Sequence, residues 1–389
     1  MVGISVGLAL LDSRPSLKIL ILEKESRIGL HASGRNSGVL HAGFYYSPDS
    51  LKARFCRDGN FELKRLCKEG GIPVNTCGKV VVTRNSEEES RLETLFQRGI
   101  ANGVDLEIHN ANLLKNFEPL ANTYQRFLWS PNTAISDSAR VICFMYEKFL
   151  KLGGKVVFEA PVNLVFHSGE LVIKGNHYRF KHLVNCAGAQ SDRLAKEIGL
   201  SNEYAMIPFM GVYRATNDSE LPLRTLVYPV PHHINPFLGV HFTLTLDGKV
   251  KIGPTAIPIL GREQYSFFEG WSVFDIRQAI RSTRSLISGE QHDFSEMLKS
   301  EWPRVLKKEI VKQAAELVPT ARNVSDWSRK PPGIRAQLVH LPTGKLEQDF
   351  VVKNFNNSTH VLNAVSPGWT SSLPFGRYVA NEYVLPSLN

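Results

Sequence analysis

The run "LKILILEKE", residues 17–25, constrains the fold of this chain more than any other stretch. A continuous Leu/Ile segment closing on acidic residues is how a strand buried on both faces of a parallel sheet reads. Parallel strands need crossovers, usually through helices, so the flanking chain has to supply them. Residues 3–13 read as an amphipathic helix ahead of the strand. Behind it comes "ASGRNSGVLHAGFYY" (32–46), too glycine-rich for a helix interior and too irregular for a strand.

A helix followed by a strand that ends in an acid is most of the opening unit of a dinucleotide-binding fold. In that unit, glycines bring the backbone up to a pyrophosphate at a helix N-terminus, and the acid holds the adenosine ribose. Glu23 is the acid here, sixteen residues beyond Gly7. Gly3 and Gly7 are the candidate phosphate glycines. The start, "MVGISVGLALL", has no complete G-x-G-x-x-G and no strand before it, so tight helix packing is an equal reading of both glycines. The chain reads as though it begins about ten residues late for this unit.

Downstream, Ser47-Pro48-Asp49 reads as the start of a helix with Pro at its first position, closed by Gly70-Gly71. "KVVVT" (79–83) reads as a strand, and Ser86 with Glu89 as a capping box for a helix ending near Gly103. A helix over 138–152 stops at Gly153-Gly154 and feeds "KVVFEA". Then comes a three-strand meander: "VNLVF", "ELVIKG" after the turn His167-Ser168-Gly169, and "HYRFKHLVNCAGA". Residues 204–265 are β-rich and aromatic, and helical pattern returns over 273–283 and 303–317. A strand, a Gly/Ser loop and a helix close the chain. With no internal repeat and no low-complexity linker, two interleaved domains are expected.

The 46 Lys and Arg against 37 Asp and Glu leave a formal charge of +9. The cations are scattered, with no run of the kind that reads nucleic acid, which points to a small anion or a lipid surface. Five cysteines, an odd number with no C-x-x-C, argue against a disulfide framework or a metal site and for a reducing compartment. No run of about 18 apolar residues appears, and the start has no signal-peptide pattern, so the chain is not expected to be secreted.

The segments "LEKE" (22–25), "SGRNSGVLHAGFYY" (33–46), "VNCAGAQSD" (184–192), "YPVP" (228–231), "PFLGVHFT" (236–243), "GPTA" (253–256), "GIRAQ" (333–337) and "NAVSPGWTSSL" (363–373) carry a resemblance. In this order, they resemble the FAD-dependent oxidoreductases of the D-amino-acid oxidase superfamily, and within it the L-2-hydroxyglutarate dehydrogenases/oxidases. The resemblance implies an α/β fold: a Rossmann-like FAD-binding domain (1–75, 133–203 and 330–389) that lacks its first strand, and an interleaved β-rich substrate domain (76–132 and 204–329). It implies FAD, held by Gly3, Gly7, Glu23, Lys24, Arg35, Asn36, Ser37, Gly38, Val162, Gly188, Gly368, Thr370 and Ser371. It also implies that the glycine-rich segment runs under the flavin and that His41 reaches the reactive edge. A structural role and a covalent flavin tether stay open for that histidine. "PFMGVY" (208–213) departs from the family's "PFRGEY" at Met210 and Val212, where substrate specificity is expected to differ. An added upstream strand and complete glycine turn are expected to raise FAD retention.

Oxidising a 2-hydroxy acid needs a cation for the carboxylate, a base for the hydroxyl proton and a C2–H aimed at flavin N5. Arg335 matches the arginine that holds the carboxylate in amino-acid-oxidising relatives, and its fork suits bidentate binding. His41 and His241 are the candidate bases, and Tyr228, with His232 or His233, is a candidate donor to a second carboxylate. The expected reaction is oxidation of L-2-hydroxyglutarate to 2-oxoglutarate. Electrons would pass to oxygen or to a quinone or flavoprotein, in the cytoplasm or peripherally on the inner (cytoplasmic or mitochondrial) membrane. The helix with Leu306, Ile310, Ala314 and Leu317 on one face could touch anionic lipid or pack on a core. The rival readings are an amine-oxidising relative and a degenerate flavin fold that binds no FAD.

Overall fold

The structure, a computed structural model, describes residues 1–388 apart from 163, 167–168, 232–237, 267–269, 271, 289–298 and 300. The turn at His167-Ser168 and the pair His232 and His233 lie outside the described residues.

The "LKILILEKE" run contributes the strand Leu20–Leu22, which pairs in parallel with Lys155–Val157. Leu183–Asn185 pairs in parallel with Ser358–Asn363, which turns back antiparallel on Val351–Phe355. Helices Val2–Ser13, Leu51–Glu69 and Ser138–Lys151 bury Ile4, Leu8, Leu63, Val141 and Phe149 in one cluster beside these strands. Helix Ser372–Val379 packs Phe375 and Val379 against Val6 and Phe55 in a second.

The β-rich part is dominated by an eight-stranded sheet. Its order is Ser328–Arg329, Arg214–Asn217, Lys249–Gly253, His241–Leu244, Leu226–Pro229, Lys79–Val82, Arg126–Ser130 and Glu107–Asn110. One face is closed by the helix Lys307–Leu317, whose Ile310, Ala314 and Leu317 meet Val80, Val82, Phe242 and Ile252. The apolar face of that helix is therefore spent on the core, and Leu306 stands outside it, 63% exposed. A second sheet runs Tyr204–Gly211 antiparallel to Gly333–His340 along its whole length. Phe209 opposes Arg335 and Met210 opposes Ile334 in that register.

Three boundaries differ from the sequence expectation, each for a local reason. The second helix begins at Leu51 because Ser50, not Ser47, caps it: the Ser50 hydroxyl accepts from Ala53 N–H at 3.1 Å. Asp349, far along the chain, accepts from the next two free donors, Leu51 N–H and Lys52 N–H, at 2.8 and 3.0 Å. Asn85 rather than Ser86 caps the third helix, accepting from Glu88 N–H at 2.9 Å. Glu88 Oε2 accepts from Arg84 N–H at 2.8 Å, one residue ahead of the cap, while the Glu89 carboxylate is taken by Thr83 and Arg126. The third meander strand is two strands: Asn176–Arg179 stays in the antiparallel meander while Leu183–Asn185 crosses into the parallel sheet.

Candidate active site

Strand alternation decides which side chains meet. Val80 and Val82 point into the core under the Lys307–Leu317 helix, so Lys79 and Val81 point to the opposite face. Directly paired residues share a face, which puts Tyr228, the partner of Val81, on that side too. His241 joins it, its ring stacked on Tyr228 with centroids 3.8 Å apart. Lys251 lies two residues from Gly253, the partner of His241, and so projects from the same face. Over this face folds the end of the glycine-rich stretch, bringing Phe44 and Tyr45 against Val81 and Tyr228.

The result is a buried cation in an aromatic box. Lys79 is 0% exposed, with its ammonium 4.2 Å from the Tyr228 ring, 4.9 Å from Tyr45 and 5.3 Å from Phe44. Its Nζ has no hydrogen-bond partner among the described residues. Burial lowers its pKa to about 7, with Cys56 and Cys77 opposing.

His241 is almost fully buried, and its Nδ1 lies 2.8 Å from the Gly239 carbonyl oxygen. A carbonyl only accepts, so Nδ1 carries the proton and Nε2 keeps its lone pair for a proton from elsewhere. Burial first, then Lys79 and Lys251, push its pKa down to about 3 against the Gly239 hydrogen bond. His41 is anchored through its backbone: its N–H donates to Thr370 Oγ1 at 3.2 Å and its carbonyl accepts from Asn60 Nδ2 at 3.2 Å. Burial, Lys79 and His241 hold its imidazole well below the usual range. Its Nδ1 is buried without a partner among the described residues. The two candidate bases and Lys79 thus lie within electrostatic reach of one another.

Arg335 is set by its own strand. Gln337 Oε1 accepts from its Nε and Nη2 at 3.3 and 3.1 Å, and Gln337 is itself held by donating to the Glu347 carbonyl at 2.6 Å. Burial lowers the guanidinium pKa to about 10, with Tyr46 opposing. Lys52, 3% exposed on the second helix, is lowered to about 7 by burial and by Arg335. Met210 belongs to the opposite face of the sheet from Arg335, packed with Val212, Ile259 and Ile334.

The glycine-rich stretch is held by its own chain. Gly38 has φ +80°, and a Cβ there would sit 2.7 Å from the Ser136 carbonyl oxygen. Asn36 Oδ1 accepts from Gly38 N–H at 2.9 Å, and Ser37 Oγ accepts from Val39 N–H at 3.3 Å while its carbonyl takes Lys251 Nζ at 3.1 Å. Arg35 donates to the Leu30 carbonyl at 2.7 Å, and its guanidinium lies 4.1 Å from the Tyr265 ring centroid. Glu23 Oε1 accepts from Glu25 N–H at 3.0 Å. Lys24 ties together Glu25, Glu263 at 2.9 Å and His31 at 3.0 Å, so an ammonium already serves that acidic cluster.

The family described as FAD dependent oxidoreductase matches residues 1–382. The chain belongs to that family. It is 34% identical over 394 residues to the L-2-hydroxyglutarate dehydrogenase of Escherichia coli K12, covering 98% of this chain and 90% of that one. It is equally identical over 406 residues to the human mitochondrial L-2-hydroxyglutarate dehydrogenase, covering 98% and 86%. Among solved structures, it is similar to an L-alpha-glycerophosphate oxidase from Mycoplasma pneumoniae with FAD bound. That likeness has a TM-score of 0.75 and 20% identity, and covers 98% of this chain and 92% of the other. A glycine oxidase from Geobacillus kaustophilus follows at TM-score 0.72 and 18% identity. These two show the shared fold.

As an FAD dependent oxidoreductase, the chain should present groups for a large polar cofactor, and it does. Ser371 Oγ, Ser372 Oγ and Trp369 Nε1 are buried without partners among the described residues, on the loop that Thr370 ties to the His41 segment and on the first residue of the helix that follows it. Gly188, exposed with φ +56°, has nothing within 4 Å of where a Cβ would be. These residues fit FAD. Other candidates have duties within the fold. A Cβ on Gly7 would meet the Phe149 ring at 2.7 Å, so this glycine lets two helices pack closely. Gly3 lies at ordinary contact distance from Cys186, Gly368 is buried in the turn at the Ala364 carbonyl, and Val162 packs beside the meander core. Sequence reasoning passed over Lys79, Lys52 and Lys251. The signal for Lys79 was a period of two in "KVVV", which puts its first residue on one face with Val81.

Proposed function

We propose that this FAD dependent oxidoreductase oxidises L-2-hydroxyglutarate to 2-oxoglutarate. The observation that carries the reading is a buried imidazole, His241, held as the Nδ1–H tautomer within electrostatic reach of the buried Lys79 and the half-buried Lys251. A 2-hydroxy diacid brings two negative charges and one hydroxyl proton, and this group answers both needs. The 34% identity to L-2-hydroxyglutarate dehydrogenases across nearly the whole chain supports it.

Bound FAD supplies the two-electron acceptor for the hydride from C2. Arg335, pre-aimed by Gln337, would hold the C1 carboxylate through its fork. His241 Nε2 would take the hydroxyl proton, and His41 is the alternative base. A dicarboxylate among Lys79, Lys251 and Arg335 acts against the cations that lower the histidine pKa, so His241 gains basicity once substrate is bound. Glu23, Lys24, Arg35, Asn36, Ser37, Gly38, Val162, Gly188, Gly368, Thr370 and Ser371, with the helix start at Gly3 and Gly7, would line the cofactor. The interleaved division at 75, 132, 203 and 329 assigns the eight-stranded sheet to the substrate domain. Oxygen, or a quinone or flavoprotein at a membrane surface, would take the electrons onward. Among the described residues no helix is long and apolar enough to cross a membrane.

The amine-oxidising reading draws on the fold shared with glycine oxidase. The buried Lys52 and Lys79 and the half-buried Lys251 and Arg335 disfavour it, because an ammonium substrate would be repelled where a carboxylate is attracted. The test is anaerobic addition of L-2-hydroxyglutarate, and separately of glycine, to the FAD-loaded protein while the visible flavin absorption is followed. Bleaching by the hydroxy acid alone is the expected result. Bleaching by glycine alone would reverse the assignment.

A further inference from the structure

A lysine that is 0% exposed, with no hydrogen-bond partner among the described residues, is an expensive feature to keep. An apolar side chain of similar length would fill the same space between Phe44, Tyr45 and Tyr228 without a charge to desolvate. The aromatic faces offset part of that cost but satisfy none of the three N–H donors. Among the described residues, His41 and His241 respond to its charge, and both are held neutral rather than acting as counter-ions. The Cys56 and Cys77 thiols, the other groups it feels, are pushed up by burial and so stay protonated.

Its relation to Arg335 gives the reason for it. Tyr46 feels both Cys56 and Arg335, and Cys56 feels Lys79. Arg335 and Lys79 are therefore within electrostatic reach of the neighbouring Tyr46 and Cys56 respectively, and Lys79 is also within reach of the two histidines. Arg335 already has an assigned anion, the carboxylate next to the oxidised carbon.

We infer that Lys79 binds the second, distal carboxylate of the substrate, so that the aromatic box is the element selecting a diacid over a monoacid. This rests on the proposed function for the identity of the acid, but not for the presence of a second anion site. A carboxylate oxygen reaching Nζ would satisfy donors the protein leaves open and neutralise a charge it does not pair. Such charge-assisted bonds are the strong ones. A monocarboxylate would leave the ammonium as it stands.

The experiment is equilibrium binding of glutarate and of butyrate to FAD-loaded wild type and Lys79→Met, read by calorimetry. Neither acid carries a hydroxyl to oxidise, so the result does not depend on turnover. Wild type should prefer glutarate, and Lys79→Met should weaken glutarate by roughly ten- to a hundred-fold with butyrate unchanged. Thermal unfolding of the variant should be the same or higher. Should Lys79→Met not fold, Lys79→Gln replaces it with the same expectation for the two acids. Unchanged glutarate binding, or equal weakening of both acids, overturns the inference. If L-2-hydroxyglutarate fails to bleach the flavin while glutarate binding still depends on Lys79, the proposed function fails and the anion site stands. If it bleaches the flavin and glutarate binding ignores Lys79, only the anion site fails.

Discussion

At the scale of single residues, the chemistry depends on where protons sit. His241 has one nitrogen spent on the Gly239 carbonyl, so its free nitrogen can only accept. His241→Asn should therefore retain FAD yet slow substrate-driven flavin reduction by roughly 10²–10⁴-fold, measured by anaerobic stopped flow. His41→Asn is the paired measurement, and near-wild-type reduction in both variants would remove histidine from proton transfer. Arg335 makes a geometric contribution that a lysine cannot copy. Arg335→Lys keeps a charge but loses the fork aimed by Gln337, so kcat/KM should fall about ten- to a hundred-fold. Folding and FAD content should hold. A variant with normal kcat/KM and a lowered melting temperature would show a structural ion pair instead.

Elements matter here through how closely they approach. Gly59 lies inside the helix Leu51–Glu69, where alanine would ordinarily be the better residue by about 1 kcal/mol. A Cβ there would fall 2.0 Å from the Thr370 carbonyl oxygen. The helix thus presses on the loop that carries Ser371 and Ser372 and anchors His41. Gly59→Ala should displace that loop, lowering stability by about 1–3 kcal/mol and lowering the FAD recovered per protein. A raised melting temperature with full FAD would mean that propensity outweighs contact and that the approach is slack. The same helix is capped by Asp349 from the other end of the chain, which fixes its first turn, and with it Lys52, near Arg335.

For the molecule as a whole, buried lysines make stability depend on pH. Burial lowers Lys52 and Lys79 to about 7 and Lys251 to about 8, from a usual 10.5. Above their folded values and below 10.5, the unfolded chain binds more protons than the native one, so stability rises with pH. It is lost as pH falls toward 7. Between about pH 7 and 8.5, short of the usual thiol range, the melting temperature should climb, and by less in Lys79→Met. An identical slope in the variant would mean that Lys79 does not titrate there. Much of the architecture was legible in the sequence because it rests on local rules. Apolar continuity marks a parallel strand, Gly-Gly ends a helix, and the order of motifs points to the family. The His41 segment and Arg335 could be singled out in the same way. Caps were misplaced by one to three residues because neighbouring Ser and Asn residues compete, and contacts such as Asp349 to Leu51 settle the outcome. Lys79 was invisible as a site because a lysine on a strand reads as solvated until something covers its face. Only the tertiary structure lays Phe44, Tyr45 and Tyr228 around it, and burial is what takes an ordinary ammonium out of water and leaves its donors without a partner among the described residues.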